Sequence, residues 1–464
     1  MGTNTSPKPT VGFVGLGAMG FGMATHLVQQ GYTVKGYDVF AKCLERFAEA
    51  GGQSTKSLSE SATDAEFYVC MVASAPQAQS ALFDAEDAIV KALPQNATLL
   101  LCSTVPSAYA QSVEKQLADM GRSDVFFVDS PVSGGAKRAA DGTLTIMAGG
   151  SDAALEKADA LLKEMSDPEG LYVVAGGVGQ GSNMKMVHQV LAAIHILLAS
   201  ETMGLAARFG LDAKTTFDAV VGSDAWFWMF ENRVPRMLDE DYFPGVSALT
   251  IILKDVGIIT SMARHVNFPM PLSTTAEQIY LLALAQDFGS HDDAGMVRLY
   301  HPPPIHNNAN NANNANNANN ANNANNANNA NNANNNDSTK TTQNLTHVLN
   351  LVRGVQLCAA AEAISLARHL HLDLRQFHRL ASAAAGGSRM FSSKGADMIA
   401  AQEGQRPENP CVEGFLKGLA RAVDAARGVS CPVPLGAEAL SLLTGVDRRH
   451  GSNGIVYDYY GLLY

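Results

Sequence analysis

Cysteine is scarce and never paired: six occur in 464 residues, at Cys43, Cys70, Cys102, Cys358, Cys411 and Cys431, with no CxxC or zinc-ligand spacing. That scatter excludes a zinc-finger framework and a CxxC redox motif, so free thiols in a reducing compartment and no metal site are expected. Basic residues are also in deficit, with 33 Lys and Arg against 44 Asp and Glu and a formal net charge of −11. This balance argues against nucleic acid or an anionic membrane as main partner, yet allows a local basic pocket for a small anion. The first residues, MGTNTSPKPT, lack the apolar core of a signal peptide and match only a loose acylation pattern at Gly2 and Ser6. No uninterrupted apolar run reaches bilayer-spanning length. The expectation is a soluble cytoplasmic protein with no membrane partner, a mitochondrial location lacking an evident transit peptide.

What is present fits a globular chain of two or three domains, 46% apolar and 17% charged. After a tail of residues 1–10, short Val-, Phe- and Leu-rich runs alternate with amphipathic stretches. VGFVG, TVKGYD, EFYVCMVA, TLLLCST and VFFVDS read as strands, and CLERFAEAG and AYAQSVEKQLADMG as helices. Such alternation implies βαβ units around a parallel sheet, over residues 11–178. From residue 179 to 304 the strand signal is gone. VHQVLAAIHILLASETMGLAARFG reads as one long helix, apolar nearly all round and hence buried among other helices.

Residues 307–336 repeat Asn-Asn-Ala, with no apolar face at helical or strand period. A disordered linker is expected over 305–340, because such a segment buries too little surface to offset its ordering entropy. Beyond it the chain echoes itself. Residues 183–230 lie without a gap on 344–391, with identities at Asn183/Asn344, Glu201/Glu362 and Met229-Phe230/Met390-Phe391. Residues 253–276 then lie on 416–439, where LKDVGIITSMARHVNFPMPL matches LKGLARAVDAARGVSCPVPL. Paired prolines at one register suggest that 341–464 is a degenerate second copy of the helical domain.

GFVGLGAMG supplies Gly15, Gly17 and Gly20 as GxGxxG, after an apolar strand and before a helical run. TVKGYD then ends in Asp38, near the spacing expected for the residue that holds the adenosine ribose. The loop of Gly15, Gly17, Ala18, Met19 and Gly20 would bring backbone amides and a helix N-terminus to a pyrophosphate. Asp38 would accept from ribose hydroxyls and repel a 2′-phosphate, which favours NAD over NADP. The fold expected is therefore an α/β Rossmann-type domain followed by an all-α domain that is duplicated.

Three further stretches carry polar groups: LLCSTVPS with Ser103, DSPVSGGAKRAADGTLTIMAGG with Ser133, Gly134 and Gly135, and GQGSNMK with Lys185 opening the long helix. A Ser-Gly-Gly turn suits a carboxylate, since its amides and hydroxyl donate without a nearby cation. In this order, with LKD at 253–255, the motifs over about residues 11–300 resemble the β-hydroxyacid dehydrogenase family, which includes 3-hydroxyisobutyrate and 6-phosphogluconate dehydrogenases. The resemblance implies that Lys185 is the acid/base residue and that Ser133–Gly135 hold the substrate carboxylate. It also implies that Lys254 lines the cofactor side and that Ser103 lies near the nicotinamide. Many members carry KxxNN, where this chain has His188 and Gln189. Gln189 can still donate an amide hydrogen bond to substrate, and His188 reads as a core histidine or a second base. The KxxHQ form resembles the L-threonate dehydrogenase branch.

The activity implied is NAD-dependent oxidation of a small hydroxy acid or sugar acid, threonate-like or 3-hydroxyisobutyrate-like, with the hydroxyl proton passing to neutral Lys185. The other reading is a catalytically silent NAD(P)-binding scaffold of the same fold. The second copy has Thr346 where Lys185 stood, so it is expected to pack on the first in place of a partner subunit, a homo-oligomer also being compatible.

Overall fold

The structure is a computed structural model that describes residues 8–240, 242, 243, 245–300, 327–403 and 412–450. It divides into two compact units, residues 1–188 with 366–385 and residues 189–365 with 386–464.

The first unit opens with β1 (Thr10–Val14), α1 (Ala18–Gln29), β2 (Thr33–Tyr37), α2 (Ala41–Glu49), β3 (Gln53–Ser54) and α3 (Leu58–Ala62). It continues through β4 (Phe67–Cys70), α4 (Ala75–Gln79), α5 (Ile89–Ala92), β5 (Thr98–Leu101) and α6 (Ser107–Asp119). Then come β6 (Phe126–Asp129), β7 (Val132–Ser133), α7 (Gly135–Asp141), β8 (Leu144–Gly150), α8 (Asp152–Met165) and β9 (Ser166–Val173). The strands form one sheet in the order β3-β2-β1-β4-β5-β6-β8-β7, with β9 paired to β8. From β3 to β6 every pairing is parallel, while β8 runs antiparallel to β6 and β7. The alternation of side chains explains the two apolar layers: Leu99 and Leu101 of β5 join Tyr68, Val113 and Phe127 on one face. Leu100 between them joins Phe13, Val69, Val128 and Leu161 on the other. The five strands read from sequence are β1, β2, β4, β5 and β6. Strands β7, β8 and β9 were not legible, because β7 has only two residues, LTIMAGG ends in two glycines and SDPEGLYV opens with turn residues.

The chain then enters α9 (Gln180–Arg208), followed in the second unit by α10 (Ala213–Val221), α11 (Trp228–Asp239), α12 (Leu249–His265) and α13 (Pro271–Leu284). After α13 comes a 3-10 segment, Asp293–Leu299. Helices α14 (Ala327–His369), α15 (Leu374–Ala383), α16 (Ala396–Gln402), α17 (Glu413–Gly428) and α18 (Pro434–His450) complete the described chain. Of these, α15 belongs to the first unit, where Gln376 donates to the Val173 carbonyl at 2.8 Å.

One expectation from sequence needs correction. Helix α14 starts at Ala327, inside the stretch read as a disordered linker. Extending a helix already anchored by packing costs far less than starting one, so a weak helix-forming sequence can be recruited at its end. The rest of that stretch, 305–326, lies outside the described residues. Gln180–Arg208 and Ser338–His369 are long and apolar enough on average to cross a bilayer, yet neither is an uninterrupted apolar run, and 94% and 78% of their apolar windows are buried within the chain. Polar residues such as Lys185, His188 and Glu201 interrupt the run without lowering its mean hydropathy enough.

Buried carboxyl groups organise the second unit. Glu201 on α9 accepts the backbone N–H groups of Leu435 at 2.8 Å and Gly436 at 3.4 Å, at the start of α18. Glu362 on α14 accepts from the N–H groups of Leu272 and Ser273, both at 2.9 Å, and from the Ser273 hydroxyl at 2.6 Å, at the start of α13. Between them, Phe227 forms an antiparallel bridge with Ser388, flanked by Trp228 N–H to Gly387 O at 2.9 Å and Arg389 N–H to Trp226 O at 3.1 Å. A buried fork joins Arg233 to Asp293 at 2.9 and 2.8 Å.

Burial pushes Glu201 up to about 8, against the pull of its two amide donors. A folded-state value above the unfolded one means that the folded chain holds an extra proton between the two. The stability from this group is therefore full below its unfolded value of 4.5 and lost as pH rises through about 8. Chemical denaturation of Glu201→Gln against pH is expected to be flatter than wild type across that window; parallel curves would refute the assignment.

Candidate active site

In the parallel part of the sheet the C-terminal ends of β1, β4, β5 and β6 lie side by side, where ligands of open α/β sheets bind. At the end of β1 the loop Gly15–Gly20 turns into α1. Gly20 packs so close that a Cβ would lie 1.8 Å from the Gly15 carbonyl oxygen, whereas a Cβ on Gly17 would meet nothing within 4 Å. Ala18 and Met19 form the first turn of α1, whose N-cap Gly17 makes no side-chain cap. Asp38, just past β2, accepts from Leu16 N–H at 2.7 Å and Phe40 N–H at 2.9 Å, and so ties the two loops together. An open, uncapped helix start beside a carboxylate at the end of β2 fits a dinucleotide, with Gly17–Gly20 at the pyrophosphate and Asp38 at the ribose.

Ser103, past β5, is fully buried. Its hydroxyl accepts from Val72 N–H at 2.9 Å and donates to the Cys70 carbonyl at 3.3 Å, so it fastens the β4 and β5 loops together. Past β6, Ser133 is 7% exposed on β7. Gly134 and Gly135 follow with φ of 140° and 75°, a left-handed pair that L side chains resist, and a Cβ on Gly135 would meet nothing within 4 Å. Asp129 holds the start of α9 through Ser182 N–H at 2.7 Å and Ser182 Oγ at 2.6 Å. One turn on from Ser182 stands Lys185, 5% exposed, and then fully buried His188.

The remaining sequence candidates lie in the second unit. Gln189 donates through Nε2 to Asp255 Oδ2 at 2.6 Å, and Lys254 Nζ lies 3.1 Å from Asp255 Oδ1. One amide hydrogen of Gln189, expected to be available to substrate, is thus given to Asp255. Sequence reading assigned no role to Asp129, Ser182 or Asp255, though all lie inside quoted motifs. The available signal was a charged residue ending an otherwise apolar strand.

These features define a nicotinamide-dinucleotide-dependent oxidoreductase fold, a Rossmann-like sheet joined to helices. The profile described as the NAD binding domain of 6-phosphogluconate dehydrogenase matches residues 10–179. The profile described as NAD-binding of NADP-dependent 3-hydroxyisobutyrate dehydrogenase matches 179–300 and 342–455. L-threonate dehydrogenase from Cupriavidus necator is 37% identical over 290 residues, 62% of this chain and 95% of that protein. Human mitochondrial 3-hydroxyisobutyrate dehydrogenase is 31% identical, over 62% of this chain and 86% of that protein. Among solved structures, 3-hydroxyisobutyrate dehydrogenase from Salmonella typhimurium is similar with a TM-score of 0.58 and 33% identity, covering 63% of this chain and all of that one, 100%. Plasmodium falciparum 6-phosphogluconate dehydrogenase shares the fold over 95% of this chain and 92% of its own, with a TM-score of 0.65 at 15% identity. The chain belongs to the β-hydroxyacid dehydrogenase family, and its sequence groups with the L-threonate dehydrogenase branch.

Proposed function

We propose that this chain oxidises a hydroxyl-bearing carbon of a small sugar acid of the L-threonate type, with NAD as acceptor and Lys185 as the acid/base. The carrying observation is the placement of Lys185: 5% exposed, on the first turns of α9, one turn beyond the Ser182 that Asp129 holds. Bound at the β1 loop, the nicotinamide would supply the hydride acceptor. Ser133, Gly134 and Gly135 would hold the substrate carboxylate through the hydroxyl and backbone N–H donors of the turn. Asp38 supports NAD over NADP, since both of its oxygens already organise the loop that a 2′-phosphate would have to approach. Lys254 is itself compensated, its ammonium lying 3.1 Å from Asp255 Oδ1. The catalytically silent reading would leave a buried lysine at the start of α9 without use.

The duplicated helical domain belongs to the same reading. Glu201 and Glu362 occupy matching positions, and each caps the helix that matches the other's target. Phe227 and Ser388, also matching, pair with each other. Reciprocal contacts of this kind are what two copies around a local two-fold axis produce. Thr346, the counterpart of Lys185, is exposed and bonds back to the Thr342 carbonyl at 2.9 Å. The second copy thus packs without chemistry, in the role of a partner subunit.

The test is NADH formation with L-threonate, D-erythronate, 3-hydroxyisobutyrate and 6-phosphogluconate, with tartronate semialdehyde run in reverse. Highest kcat/KM on a four-carbon sugar acid supports the reading. No turnover of any of them favours the silent scaffold.

A further inference from the structure

The end of β6 carries a carboxylate that neither the dinucleotide loop nor the Ser-Gly-Gly turn uses. Asp129 is fully buried, with 0% exposure. Its Oδ2 accepts Ser182 N–H at 2.7 Å and its Oδ1 the Ser182 hydroxyl at 2.6 Å. The first N–H groups of a helix have no intrahelical partners and form the positive end of its dipole, so a carboxylate there meets both demands. Burial lifts Asp129 to about 6, against the pull of Ser182 and of the Gly179 N–H, which leaves it ionised at neutral pH. Gly181 is pressed into the same junction: a Cβ on it would lie 2.4 Å from the Met147 carbonyl oxygen and 2.5 Å from that of Asp129. The first turn of α9 is thereby pinned to the sheet by side chain and by backbone contact.

Lys185 stands three residues beyond Ser182, on the same face of the helix. A lysine has a long, freely rotating stem, so its ammonium can be aimed only if its own Cα is held. We propose that Asp129 is the positioning residue for Lys185, fixing through Ser182 the turn from which that side chain reaches the reacting hydroxyl. The inference rests on the acid/base reading of Lys185. Displacement of a reacting group by about 1 Å can cost about 10²-fold in rate, which sets the expected effect.

The test uses the full chain with NAD and L-threonate, or the panel acid it oxidises, together with backbone hydrogen exchange measured without substrate. Asp129→Ala is expected to lower kcat about 100-fold, leave KM for NAD unchanged, and speed exchange across residues 182–187. Asp129→Asn keeps an acceptor for Ser182 N–H and should recover most of the rate. On a Lys185→Ala background, Asp129→Ala should cost nothing further. If Asp129→Ala does not fold, Ser182→Ala carries the same expectation in milder form, a lower kcat at constant KM for NAD. Wild-type kcat in these variants, equal losses in Asp129→Ala and Asp129→Asn, or a loss that multiplies with Lys185→Ala overturns the proposal. Turnover surviving in Lys185→Ala alone overturns the acid/base reading and this inference with it; an inactive Lys185→Ala beside an active Asp129→Ala removes only the positioning role.

Discussion

Replacing Lys185 by alanine is expected to lower turnover by about 10²–10⁴-fold, the range supplied by a positioned general acid or base. Binding of the dinucleotide should change little, because its loop is built by Gly15–Gly20 and Asp38, which hold each other through backbone donors. Lys185→Arg separates the two ways a lysine could act. Arginine keeps the positive charge but does not lose its proton in proteins, so it can assist an anion and cannot serve as a base. We expect Lys185→Arg to be nearly as slow as Lys185→Ala. An active arginine variant would assign Lys185 to electrostatic binding, and full activity in both would remove it from the chemistry. Steady-state kcat and KM, with cofactor binding followed by fluorescence titration, read all of these outcomes.

Removing residues 341–464 is expected to yield a chain that aggregates or unfolds at lower temperature than the parent. The reason lies in named groups. Truncation would strip the N–H groups of Leu272 and Ser273 of their acceptor Glu362 and leave Glu201 without its donors at Leu435 and Gly436. A gentler version is Glu362→Ala, which leaves buried donors unsatisfied at a cost of about 1–3 kcal/mol each. Denaturant unfolding of that variant should show a clear loss of stability with the slope preserved. A soluble, monomeric and equally stable truncated chain would contradict the proposal that the second copy substitutes for a partner subunit.

Much of this was legible in the residues themselves. GxGxxG followed by Asp38 announced the dinucleotide loop, since only glycine tolerates the contact that Gly20 makes with Gly15. The parallel strands announced themselves by runs of Val, Leu and Phe, because a strand buried on both faces has no polar side to show. The antiparallel end of the sheet did not, for its strands are short or carry glycine and proline. Glu201 and Glu362 stood out as carboxylates in apolar helices, but sequence offered no partner, because their donors are backbone N–H groups more than seventy residues away.

The sequence by itself determined the Rossmann-like sheet and the helical region that follows it, and singled out the glycine loop and Lys185 as candidates, because each depends on local pattern: strand period, glycine spacing, a charge entering an apolar helix. Only the tertiary structure decided what holds those pieces in place. Asp129 meets Ser182, Asp255 stands between Gln189 and Lys254, and two buried glutamates cap distant helices. Asp129 with Ser182, Gln189 with Asp255, and the glutamates with backbone N–H groups are pairings between groups far apart in sequence. Such pairings leave no periodic trace along the chain and exist only once the chain has folded.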